Sequence, residues 1–208
     1  MQGFAKVSAS PLVRFFTSAI VWLVLLTAVW SFVAPWTSHP VASLTHMALE
    51  FGAPQWVGKV TKAPGMIEAE TRIQIAVSGA PPGVKADIVV EAEPQHYAYG
   101  LPIVLALLLA GSRKYLVVRA LGSYLLLLPA QAFSLTFDLL RKMTIPAEGG
   151  VTALGIQQWQ LECIAYCYQL GTLVMPTMIP VLIWLWMDRE FFVDVLKPHF
   201  FRAQSETP

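Results

Sequence analysis

Between Tyr115 and Leu140 an apolar run long enough to cross a bilayer is interrupted by polar groups at a fixed interval. Tyr124, Gln131 and Asp138 stand seven residues apart along it. Seven residues is almost two turns of an α-helix, so the three side chains share one stripe, with Ser134 close beside it. Such groups are costly facing lipid, and the stripe is expected to turn toward another helix or a water-filled cavity. The last apolar segment carries a matching set, Glu162, Tyr166 and Gln169, spaced by four and then three residues. The two helices are expected to face each other and form the functional wall of the protein. The plainer alternative is a pair of stripes that only hold the bundle together through interhelical hydrogen bonds.

Composition supports a membrane setting. Hydrophobic residues make up 56% of the 208 and charged residues 13%, with a mean hydropathy of +0.58; soluble domains carry about 25% charged residues. The net charge of +1 gives no reason to expect a nucleic acid or a strongly acidic partner. Cys163 and Cys167, the two cysteines, lie on one face of one helix, where a bridge would constrain little, and are read as free thiols. The chain has no CxxC, no HExxH and no glycine-rich phosphate loop, so neither a metal site nor a cofactor is expected.

Leu12 to Ala34 is apolar and long enough for a bilayer of about 30 Å. Lys6 and Arg14 give it the look of a signal peptide, but it exceeds the usual apolar core of about 7–15 residues. An uncleaved anchor is expected over 12–34, after a cytoplasmic N-terminus of 1–11, with Trp30 and Trp36 at its outer interface. Residues 35–95 are more polar and read as a small separate domain. Pro40 to Phe51 has helical spacing suited to a membrane surface. Met66 to Val77 alternates cleanly, with Ile67, Ala69, Thr71, Ile73, Ile75 and Val77 on one face, which predicts a half-buried strand. Ser78 to Gly83 reads as a turn and Val84 to Glu91 as the returning strand of a hairpin, with Gln55 to Lys62 as a third strand. About 60 residues make a thin core, so this domain is expected to lean on the membrane helices or on a partner.

His96 to Gly111 is read as a short second span, Tyr115 to Leu140 as a third that kinks or loosens at Pro129, and Leu161 to Met187 as a fourth. Ser112 to Lys114 is a tight connection, and Met143 to Gln160 is a loop. The expected fold is an α-helical integral membrane protein with four transmembrane helices. A small extracytoplasmic α+β (β-hairpin) domain over 35–95 separates spans one and two, a three-helix bundle covers 96–188, and a cytoplasmic tail covers 189–208. With the N-terminus inside, Lys6, Arg14, Arg113, Lys114, Arg119, Arg189, Lys197 and Arg202 are cytoplasmic. Lys59, Lys62, Arg72, Lys85, Arg141 and Lys142 are outside, mostly on a long segment that counts for little in orientation.

In that topology His96, Asp138, Arg141, Glu162 and Cys163 gather near the outer membrane face. Asp138 is the least ordinary of them, flanked by Phe137 and Leu139, with Arg141 as the expected ion-pair partner. Cys163, Arg141 and His96 would supply a thiol, a cation and an imidazole, the set a cysteine transpeptidase needs. A buried thiol packing as a small hydrophobe is the alternative. The candidate partner- or substrate-binding residues are therefore Tyr124, Gln131, Asp138, Glu162, Tyr166, Gln169, His96 and Arg141, with no catalytic residue assigned.

A resemblance adds to this reading. Tyr99-Gly100-Leu101-Pro102 with Leu105 to Ala110, Leu128-Pro129-Ala130-Gln131-Ala132-Phe133, Trp159-Gln160, and Tyr168-Gln169-Leu170-Gly171 with Pro176 and Trp184 resemble the exosortase H-associated membrane proteins. The likeness covers the three later spans, and the anchor and outer domain in layout. It implies a membrane partner: an exosortase, the multi-span cysteine transpeptidase that cuts C-terminal sorting signals of exported bacterial proteins, or one of its sorted proteins. The chain carries fewer spans than an exosortase. The expected function is a non-enzymatic accessory subunit in the bacterial inner membrane, both termini cytoplasmic. The alternative is a small membrane enzyme, protease- or transpeptidase-like, with its site at the outer interface.

Overall fold

The computed structural model describes residues 11–63, 65–76, 85–111, 114–144 and 156–193. The expected turn over Ser78 to Gly83, the middle of the loop after Met143, and the ends carrying Lys6, Lys197 and Arg202 lie outside those residues. Helix α1 runs over Pro11–Thr37 and α2 over His39–Gly52, with the break between them at Ser38. Three strands follow, β1 at Val57–Ala63, β2 at Met66–Ala76 and β3 at Lys85–Ala92. A 3₁₀ turn, Pro94–Tyr97, leads into α3 at Gly100–Ala110. Helix α4 spans Leu116–Thr144 without interruption, Pro129 included. Helix α5, Gln158–Gln169, continues through a π turn at Leu170–Val174 into α6 at Met175–Met187, and a short α7, Arg189–Phe191, ends the described chain.

Among the described residues three helices are long and apolar enough to cross a membrane: Pro11–Thr37, Leu116–Thr144 and the composite Gln158–Met187. The expected second span is shorter than the sequence suggested. Helix α3 has 11 residues, about 16 Å at the usual rise, against roughly 30 Å of hydrocarbon. Pro94 starts a 3₁₀ turn that takes up His96 and Tyr97, and Gly111 ends the helix at the other side.

The strands form one antiparallel sheet in the order β1-β2-β3. Val60 pairs with Ala69, and Ala69 in turn with Val90, so one face collects Val57, Val60, Ile67, Ala69, Thr71, Ile88 and Val90 as buried residues. This is the face that the alternation in β2 predicts. Gly65, in the turn between β1 and β2, has φ +76, a conformation that glycine adopts without a Cβ clash.

Two cores result. At the sheet end, the buried sheet face packs with Val41, Ala42 and Leu49 of α2, with Leu135, Leu139, Leu140 and Met143 of α4, and with Ile164 of α5. The polar domain therefore shares its core with the membrane helices. The far end packs Phe15 of α1, Val104 and Leu108 of α3, Leu127 of α4 and Trp184 of α6, with Phe15 stacked on Trp184 at 5.4 Å. Tyr115, between α3 and α4, takes φ +52, an uncommon left-handed conformation for a side chain of its size, at the sharp reversal into α4.

Candidate functional site

The α4 stripe forms as its spacing demands, and the structure shows what each member meets. The Tyr124 hydroxyl donates to the Thr37 carbonyl at 2.9 Å, tying α4 to the end of α1. Gln131 is buried one stretch further along. Ser134 Oγ donates to the Gly171 carbonyl at 2.7 Å, with its own Ala130 carbonyl at 3.0 Å. Asp138 is 4% exposed and holds Lys142 Nζ at 2.9 Å. It also accepts a hydrogen bond from the Tyr97 hydroxyl.

Asp138 thus pairs with Lys142, four residues on, and not with Arg141 as expected. Both lie on its side of the helix, but Lys142 Nζ also donates to the Glu91 carbonyl of β3 at 2.9 Å, which holds the ammonium against the sheet. Arg141 stacks over the Tyr168 ring, 4.3 Å from its centroid, a cation–π contact between α4 and α5. Burial, followed by the Asp138 charge and the hydrogen bond to it, pushes the Tyr97 phenol well above its ordinary range, so it stays a donor to that carboxylate.

The second stripe does not face the first. Glu162, Tyr166 and Gln169 are exposed on the outer side of α5, while Ile164 is buried and Tyr168 and Gly171 reach α4. Residues 162, 166 and 169 lie about half a turn round the helix from 164, 168 and 171, so turning one set inward turns the other out. The choice falls to the small residue. A Cβ on Gly171 would stand 2.9 Å from Ser134 Cα, so only glycine admits this backbone approach. The π turn serves the same contact. Pro176 has no N–H, the Met175 N–H bonds back to Leu170, and Thr172 Oγ1 donates to the Tyr168 carbonyl at 2.9 Å.

His96 is exposed and lies 3.3 Å from Glu93, in a cleft of about 340 Å³ shared with Trp30, Ser31, Ala34, Gln95 and Tyr99. Cys163 lines a different groove, between α2, α4 and α5. Arg141 is engaged with Tyr168 and lines neither. Among the described residues the thiol and the imidazole expected as a set therefore line different cavities, and the cation lines neither of them.

At the far end the sequence reading missed a buried ion pair. Arg119 and Asp188 meet at 2.9 Å with side chains 13% and 4% exposed. Gly111 abuts the same carboxylate: a Cβ there would collide with Asp188 Oδ2. An arginine early in one apolar segment and an aspartate ending another was the available signal, since charges in such segments are rarely left without partners.

A model of the exosortase H-associated membrane protein family matches residues 9–191. The chain belongs to this family. No curated protein and no solved structure matches it significantly. Of the positions that carry the likeness to the exosortase H-associated membrane proteins, Gln131 and the run Tyr168 to Gly171 lie at or beside the contact just described. Gln131 is buried within a turn of Ser134, and the run Tyr168 to Gly171 supplies the ring under Arg141 and the carbonyl bound by Ser134. In this family member those residues set how α4 and α5 cross.

Proposed function

We propose that this membrane protein is a non-enzymatic accessory subunit that associates with exosortase H, or with its exported substrates, in the bacterial cytoplasmic membrane. The family match over 9–191 carries the reading. The polar groups on α4 add to it, because Tyr124, Ser134 and Asp138 spend their hydrogen bonds inside the chain. With Gln131 and Arg141 they hold the shape a partner reads, whereas His96, Glu162, Tyr166 and Gln169 are free to touch one.

In this proposal α1, α3, α4 and the composite α5–α6 make four crossings, both termini are cytoplasmic, and residues 35–95 stand outside. Short as it is, α3 leaves the sheet end at Tyr97, beside Asp138, and reaches Asp188 at Gly111, so it joins the two ends of the bundle. Lys114, Arg119 and Arg189 at that far end are the cations expected on a cytoplasmic side.

A tag after Arg202 tests the partnership: exosortase H is expected to copurify from membranes in which both proteins are expressed. A well-inserted protein that recovers none of it overturns the proposal. A reporter active only outside the cytoplasm is expected to work when fused within residues 78–83 and to fail after Arg202. Activity at the tail would require an odd number of crossings.

A further inference from the structure

Three helix ends converge at the far end of the bundle: α1 begins at Pro11, α3 ends at Ala110 and α6 ends at Met187. A cleft of about 450 Å³ opens there, lined by Arg14, Phe15, Ser18, Leu109, Gly111 and Phe191. Its lining is divided. Phe15, Leu109 and Phe191 form an apolar wall, with the Phe15 and Phe191 rings 5.5 Å apart. Arg14 and Ser18, one turn apart on α1, bring a guanidinium and a hydroxyl. The rim belongs to an apolar helix long enough to span a bilayer, whose Val13, Phe16 and Ile20 are exposed. What reaches the cleft from that side is bilayer lipid, and helix ends stand at the level of its headgroups.

Arg14 is exposed and has no carboxylate within ion-pair distance among the described residues. Asp188 lies behind Gly111, but it is sealed and matched by Arg119. Glu190 is exposed beside Phe191 and is outnumbered by the exposed Lys114 and Arg189. The described residues of this end therefore carry a net positive charge around the cleft. Such a field attracts a phosphate and repels a choline or ammonium group, so the headgroup that suits it is negative overall. A guanidinium also takes two phosphate oxygens side by side, a geometry that a lysine lacks.

We infer that the cleft between α1, α3 and α7 binds an anionic phospholipid, with its phosphate on Arg14 and the start of an acyl chain along Phe15, Leu109 and Phe191. Ser18 stands one turn deeper, toward the glycerol esters, where its hydroxyl can donate to a carbonyl. Basic pockets between membrane helices hold lipid headgroups in this way. The site requires the membrane setting and no protein partner.

Native mass spectrometry of the full chain in a neutral detergent, with thermal unfolding in the presence of added lipid, reads the site. Phosphatidylglycerol is expected to stay bound and to raise the unfolding temperature, and phosphatidylcholine with the same acyl chains to do neither. Arg14→Gln is expected to weaken phosphatidylglycerol binding about tenfold, and Arg14→Lys less. Lys59→Gln, which removes one exposed charge from β1, is expected to leave it unchanged. Ser18→Phe fills the cleft while keeping every charge and is expected to lose the lipid too, so the test holds even where Arg14→Gln inserts poorly. Equal retention of the two lipids overturns the inference, as does equal loss from Arg14→Gln and Lys59→Gln, or binding unchanged by Ser18→Phe. An Arg14→Gln protein that keeps its phosphatidylglycerol but no longer recovers exosortase H would make the cleft a protein contact and overturn the lipid site.

Discussion

Two buried aspartates sit at opposite ends of α4, and their surroundings differ in one respect. Asp188 meets Arg119 with both side chains nearly sealed from solvent, at 4% and 13% exposure. Asp138 is as deeply buried, but its partner Lys142 is 40% exposed, and the Tyr97 hydroxyl shares the load. Losing one member of a sealed pair leaves the other charge shut away from water, whereas a lysine at the edge can swing into it. The same pair chemistry therefore makes a rigid clamp at the far end and an adjustable joint at the sheet end, where Lys142 also holds β3. The sheet is tied to α4 by the joint.

The sharpest way to break this contrast is at the clamp. Asp188→Ala or Arg119→Ala is expected to cost about 3–5 kcal/mol of unfolding free energy in detergent, and Arg119→Leu with Asp188→Leu together much less. Equal losses from the single and double variants would mean the pair is not sealed. Next comes the helix crossing. Gly171→Ala forces α4 and α5 apart and is expected to cost about 1–3 kcal/mol by the same measurement, with Ser134→Ala nearer the ~0.6 kcal/mol typical of membrane hydrogen bonds.

At the joint, Asp138→Leu leaves the Tyr97 hydroxyl unpartnered, and its stability cost is expected to be about 1–3 kcal/mol, below that at the clamp. Its larger effect is on function: loss of exosortase H recovery with normal insertion, Gln131→Leu causing only part of that loss. Full recovery with both leucine variants would reduce the stripe to packing. The smallest effect is in pH. The folded state raises the Tyr97 phenol above its unfolded value, so its stabilisation is complete below about pH 10 and falls as the pH rises further. Thermal scans should show the gap between the parent protein and Tyr97→Phe constant to that point and narrowing above it.

The α2 helix, the three strands and the buried face of β2 were legible because each shows its own period: Ile67, Ala69 and Thr71 alternate, and all three are buried. The site was legible only on one side. Tyr124, Gln131 and Asp138 were found by spacing, and Lys142 stands at the i+4 spacing from Asp138 just as Arg141 stands at i+3, but Tyr97 and Tyr168, which meet Asp138 and Arg141, come from other segments and carry no pattern that names their partners.

By itself the sequence determined that this is a membrane protein of long apolar helices with a small antiparallel sheet, because apolar length and residue period are local properties of the backbone. Only the tertiary structure decided which side of each helix turns inward. A period of 3.6 puts Glu162, Tyr166 and Gln169 on one face and Ile164, Tyr168 and Gly171 on the other, and is silent about which face meets α4. That was settled by a contact between distant segments, where the absence of a side chain at Gly171 lets Ser134 reach its carbonyl at 2.7 Å. The polar stripe was left outside as a consequence.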